Sequence, residues 1–133
     1  MSIIKVVMVE PRKPARIEEI DNSLGSMQKI VGGYIELFYP FADENICCVC
    51  NEEGKLNGLE LNRAIYDEDG RIADIIAGVF FICDASEAEL GSLSPEQLEQ
   101  LTERYRLPEM ICSINGQIVA IPYESDEGDV DDD

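Results

Sequence analysis

The chain has no histidine, only ten bases against 28 acids, and no apolar run long enough to span a bilayer. Each shortage removes a class of function. Without imidazole no Ser-His-Asp or Cys-His pair can form, and the usual general base of neutral pH is missing. Carboxylates can do acid–base work, but nothing in the sequence sets one pair of them apart. A membrane helix needs about 20 apolar residues in a row. The start, MSIIKVVMVEPRK, lacks both the basic flank and the length of a secretory leader. The chain therefore reads as cytoplasmic, non-enzymatic and without a membrane partner.

Metal chemistry is also poorly provided for. The five cysteines are Cys47, Cys48, Cys50, Cys83 and Cys112; the single C-x-x-C spacing, Cys47 to Cys50, has no second such pair to complete a four-ligand set. A zinc site needs four thiolates or imidazoles at suitable spacing. All five lie in Ile/Val/Phe-rich segments, so they read as reduced core thiols. An EF-hand counted back from Gly70 would start at Ile65, which is no ligand. The glycines of "GGY" (32–34) and "GKLNG" (54–58) match neither phosphate-cradling motif. No cofactor and no metal is expected.

Charge is what the chain has in excess. The formal net charge is −18, and the stretch ESDEGDVDDD, Glu124 to Asp133, holds seven acids and no base. Without that stretch, 21 acids and 10 bases still leave −11. Such a surface repels phosphate backbones, which argues against direct nucleic-acid binding, and it suits a basic protein partner. Nothing in the sequence specifies an oligomeric state.

At 133 residues and 45% hydrophobic, the chain suits one folded domain. The boundaries expected are a single α+β domain over 1–123 and a disordered acidic tail over 124–133. IIKVVMVE reads as a buried strand, PRKP as a turn, and ARIEEI as a second strand antiparallel to the first. DNSLGSMQKIVGG reads as a helix capped by Asn22 or Ser23. Leu24, Met27, Ile30 and Val31 share one face of it, and Gly32 or Gly33 ends it.

YIELFYPF is strand-like, with Tyr34, Leu37 or Phe38, and Tyr39 as packing residues. In NICCVCN, alternation sends Cys48 and Cys50 to one face and Cys47 and Val49 to the other. Gly54 is expected at a positive φ in the turn EEGK. The segment NGLELNRAIYDEDG reads as irregular, with a helical turn near Arg63 to Asp67. RIADIIAGVFFICD is β-prone and interrupted at Gly78.

LSPEQLEQLTERYRLP is the clearest helix. Ser94 caps it, Gln97 completes a capping box, Leu93 and Leu98 form a staple, and Leu98, Leu101 and Tyr105 make the buried stripe. Asn115-Gly116 sits between two apolar runs, as in a tight hairpin. The architecture expected is a mostly antiparallel mixed sheet with two helices packed on it.

One stretch is a candidate site. NEEGKLNGLELNRA, Asn51 to Ala64, combines Asn51, Asn57 and Asn62 with Lys55 and Arg63. It is either an ordered loop whose asparagines bond backbone groups, or a pocket rim where the two cations hold a nucleotide-like anion.

The run LGSMQKIVGGYIELFYPF, followed by CNEEGKLNGLELNRAIYDEDGRIADIIAGVFFIC, resembles the bacterial and phage family called domain of unknown function 3846. The resemblance covers about residues 3–83; the part after Asp84 is less similar. Many relatives place proline where this chain has Glu60. Members occur in phages, plasmids and integrated mobile elements, among accessory and anti-defence genes. The resemblance thus implies a setting and no activity. In that setting the expected function is a small acidic binding protein, an inhibitor of a host DNA-binding or defence protein by charge mimicry. The small-ligand reading of 51–64 is the alternative.

Overall fold

The first two strands, β1 (Ile3–Val9) and β2 (Arg16–Asp21), pair antiparallel with Ile4 opposite Ile20. Helix α1 (Leu24–Val31) follows. Ser23 accepts a 3.2 Å hydrogen bond from the Ser26 amide at its start, and Gly32 ends it at φ +83°. Then come β3 (Ile35–Phe38), β4 (Ile46–Asn51), β5 (Leu61–Tyr66), β6 (Ile72–Ala77) and β7 (Phe80–Asp84). Helix α2 (Pro95–Arg104) carries the expected capping box of Ser94 and Gln97, and β8 (Glu109–Ile114) and β9 (Gln117–Pro122) close the described chain. The computed structural model describes residues 2–124, so the acidic run from Ser125 lies outside the described residues.

The fold is α+β and mostly β. Among the described residues every strand pair is antiparallel, so the sheet is not mixed, and the strands divide into three sheets. The largest has the order β2-β1-β7-β4-β3, with β5-β6 and β8-β9 as separate hairpins. The main departure from the sequence reading is β5. The stretch read as irregular, with a helical turn at Arg63 to Asp67, is a strand with two irregularities in its register. Its polar letters mislead because Asn62 and Arg63 point inward.

The three central strands β1, β7 and β4 are covered on both sides, which explains their nearly continuous apolar runs. On one side Val7, Val9, Cys48, Cys50, Phe80 and Ile82 share a cluster with Leu98 and Leu101 of α2 and with Tyr105, which caps its end. On the other, Val6, Met8, Cys47, Val49, Phe81 and Cys83 share a second cluster with Met27 and Val31 of α1. The alternation read from CCVC therefore holds. Each large aliphatic side chain so buried contributes roughly 1.5–3 kcal/mol. Tyr105 meets Phe80 edge-on, with ring centroids 6.0 Å apart.

Smaller expectations needed correction. Tyr34 and Tyr39 are 75% and 51% exposed; of the residues expected to pack, Phe38 lies against the core, joined by Ile35 and Phe41. Leu24 points outward from α1. Gly54 has no positive φ; that role falls to Gly58, at +74°. Gly54 is needed for another reason, because a Cβ there would stand 2.8 Å from the Ala77 carbonyl oxygen. Gly78 does interrupt its strand, at φ +85° and pressed against Leu59.

Candidate functional site

Asn51 ends β4 and is buried. Its Nδ2 donates 3.1 Å to the Val31 carbonyl at the end of α1, and its Oδ1 accepts 2.8 Å from the Glu53 amide. Gly33 makes room for this amide, since a Cβ there would fall 2.8 Å from Asn51 Nδ2. The turn that follows is closed by backbone hydrogen bonds from Asn57 to Glu53 and from Leu59 to Gly54. Asn57 itself is exposed.

Lys55 stands on this turn and pairs with Asp74 of β6 at 2.7 Å, both half exposed. Burial pushes the Asp74 carboxyl up, but the hydrogen bonds from Lys55 and from the Ile75 amide outweigh it and leave it below the usual range. Beside the pair is a cavity of about 290 Å³ whose wall carries Glu36, Glu52, Glu53 and Asp74 against the single base Lys55.

Asn62 and Arg63 lie elsewhere. Asn62 is 1% and Arg63 0% exposed. Asn62 Nδ2 donates to the Val9 and Gly78 carbonyls at 3.0 and 2.8 Å, and its Oδ1 accepts 2.9 Å from Arg63 Nη1. Arg63 Nη2 donates 2.8 Å to the carbonyls of Lys13 and of Tyr105. Arg63 Nε is buried without a partner. Burial lowers the Arg63 pKa and the Glu109 carboxylate opposes that, yet a guanidinium stays charged at neutral pH. The pair thus ties together β1, the β1–β2 turn, the β6–β7 turn and the end of α2.

Of the five candidates, Asn51 and Lys55 line one cavity, and Asn57, Asn62 and Arg63 do not. The two cations that were to grip one anion are engaged separately, Lys55 by a carboxylate and Arg63 by carbonyls. Residues missed in the sequence reading are the acids around Lys55. They come from β3, β6 and the 52–53 turn, and only the register of β3 on β4 brings Glu36 beside Cys50.

All five cysteines are free, and Cys47, Cys48, Cys50 and Cys83 are buried in the core as expected; Cys112, expected there too, is only half-buried on β8 and belongs to neither core cluster. Cys47 and Cys83 face each other across β4 and β7 with Sγ atoms 3.8 Å apart. Burial pushes Cys50 up to about 11 and Cys48 well above the ordinary thiol value, which keeps both protonated. Among the described residues no three acids, cysteines or histidines gather as a metal site would require, and no helix is long and apolar enough to cross a membrane.

No curated protein and no solved structure matches this chain. A family model described as "Domain of unknown function (DUF3846)" matches residues 4–106. The matched span runs from β1 through α2, further than the resemblance over about 3–83, and it stops before the β8–β9 hairpin.

Proposed function

The chain belongs to the DUF3846 family, and on that premise we propose that it is a small, acidic, non-enzymatic binding protein that presents carboxylates to a basic protein surface. The observation that carries the reading is the internal use of its positive charge. Seven of the ten bases are engaged within the molecule. Arg12, Lys13, Arg16, Lys55 and Arg106 stand in ion pairs, Arg104 lies over the Phe41 ring, and Arg63 is buried. What is left facing outward is overwhelmingly acidic. In this reading both helices pack on the sheet; Glu96 and Glu99 of α2 are exposed, as are Glu52, Glu53, Glu68 and Asp69. A single-signed field of this kind steers a basic partner and repels nucleic acid. The setting of the family makes a host DNA-binding or defence protein the partner, met in the cytoplasm. The alternative, a nucleotide-like anion held at 51–64, has less behind it, because the cavity there is lined mainly by acids.

The test is calorimetric titration with a basic, histone-like DNA-binding protein at about 0.05 and 0.5 M salt, where the Debye length falls from roughly 14 to 4 Å. The affinity is expected to drop steeply with salt, and duplex DNA is expected to compete. Reversing Glu52, Glu53, Glu96 and Glu99 to lysine should weaken binding by about tenfold or more. Binding indifferent to salt and to charge reversal overturns the reading.

A further inference from the structure

The two hairpins outside the large sheet lean together. The Glu109 carboxylate of β8 accepts 2.9 Å from the Ala64 amide of β5. Residues 70–75 at the head of β6 and 117–120 of β9 then line one cleft of about 890 Å³, with Leu61 and Tyr66 of β5. That is the size of a small-molecule site, and the lining is mainly apolar, as such sites are. Leu61, Tyr66 and Ile118 in it are 41%, 37% and 53% exposed, so its apolar side chains stand open to solvent.

The charge of the cleft runs against that of the molecule. Its lining carries two bases, Lys55 and Arg71, and one acid, Asp74, where the whole chain has ten bases and 28 acids. Lys55 and Asp74 pair with each other at 2.7 Å. Arg71 is left. Its amide donates 2.9 Å to the Asp67 carboxylate and its carbonyl accepts 2.8 Å from the Asp67 amide, which fixes its backbone. Among the described residues its guanidinium has no ion pair and no hydrogen bond. The acids of the turn before it, Asp67, Glu68 and Asp69, line a separate hollow with Pro40 and Phe41. A guanidinium is charged at neutral pH and offers a planar fork of donors that fits a carboxylate. The cleft thus joins one free anion-binding fork to an apolar wall.

We propose that this cleft binds a small amphipathic carboxylate, its acid group on the Arg71 fork and its apolar body along Ile72, Ile75, Ile118 and Val119. Size and charge point to this class. Residues 117–120 span about 13 Å of strand, the extended length of a chain of about ten carbons. A cationic amphipath has the field of the whole molecule in its favour, but in the cleft it meets Arg71, and the one acid there is engaged by Lys55. A neutral one leaves the guanidinium without a partner. A large anionic partner sets its charge against the surplus acids of the surface. A small monoanion sets its single charge against Arg71, and acids more than about 10 Å away are largely screened at 0.1 M salt. The site stands apart from the acidic surface offered to a basic protein, so neither reading rests on the other.

Displacement of a fluorescent fatty acid, undecanoate with a terminal dansyl group, tests this on the full chain near neutral pH and at about 0.1 M salt. Decanoate, decanol and decyltrimethylammonium compete in turn, each below the concentration at which it aggregates. The net charge of −18 alone favours the cation. The cleft predicts decanoate first, decanol second and the cation last. Arg71→Gln should weaken decanoate by about tenfold or more, as loss of a charge-assisted hydrogen bond does, and leave decanol unchanged. Ile118→Glu, which puts a carboxylate into the lining, should abolish decanoate binding. Both positions are exposed, so both variants should keep the wild-type circular dichroism spectrum. A probe that does not bind, a preference for the cation, or decanoate affinity unchanged in either variant overturns the proposal. So does an apolar peptide with a blocked C-terminus that displaces the probe where decanoate does not, which would give the cleft to a protein segment.

Discussion

Arg63 shows how one residue's meaning depends on partners far away in sequence. In the string LNRA it reads as a cation on a loop, available to a ligand. In the fold it is wholly buried and bonded to carbonyls 50 and 42 residues away. No strand periodicity showed this: Leu61, Ala64 and Ile65 stand at i, i+3 and i+4, the spacing of a helix face, and the buried run from Asn62 to Ile65 does not alternate. Arg63→Ala leaves two carbonyls and the Asn62 amide oxygen without their charged donor. It should cost roughly 3 kcal/mol or more in urea unfolding, given about 1.5–3 kcal/mol for each hydrogen bond to a charged group. Arg63→Lys keeps the charge but not the fork, and should recover only part of that loss. If both variants unfold at the wild-type urea concentration, the buried knot is not structural.

At the scale of elements, what was legible was local. Both helices announced themselves by caps within three residues of their starts, and the β8–β9 hairpin by its Asn-Gly turn. The two-sided burial of β4 followed from alternation alone. What was not legible was which strands share a sheet, because pairing depends on registers between residues such as Val49 and Phe81, 32 positions apart in the sequence. The β1–β2 unit gives a test of its charged end. Glu10 lies at the end of β1, where the hydrogen bond from Arg16 holds its carboxyl below the usual range, with burial opposing and Lys13 assisting. A carboxyl depressed in the folded state stabilises above its unfolded value, 4.5, and that contribution fades as pH falls through the folded value. Glu10→Gln should therefore lose stability relative to wild type at pH 6 and close the gap on acidification below about 4. A difference that stays constant with pH would show that the ion pair contributes nothing.

For the whole molecule, the sign of the salt response decides whether attraction or repulsion governs the surface. The ion pairs are mostly half exposed, the class worth about 0–1 kcal/mol each. Against them stands an uncompensated −18. Self-repulsion should win, so the melting temperature should rise by a few degrees between roughly 0.01 and 0.5 M salt. A fall would mean that the pairs matter more than the surplus. The candidate site was only half legible at this scale. Asn51 and Lys55 do line a cavity, but the acids that set its sign arrive from β3 and β6 by tertiary pairing.

The Asn62–Arg63 knot also has a consequence in time. Its bonds join segments 16, 42, 50 and 53 residues apart, so it can close only after the β1–β2 turn, the β6–β7 turn and the end of α2 have all arrived. Loop closure must precede such contacts, and we expect them to form after the rate-limiting crossing. Weakening the knot should then leave the refolding rate nearly unchanged and accelerate unfolding. On that view Arg63 is a latch: it does little to bring the native state into being and sets how long each molecule remains in it.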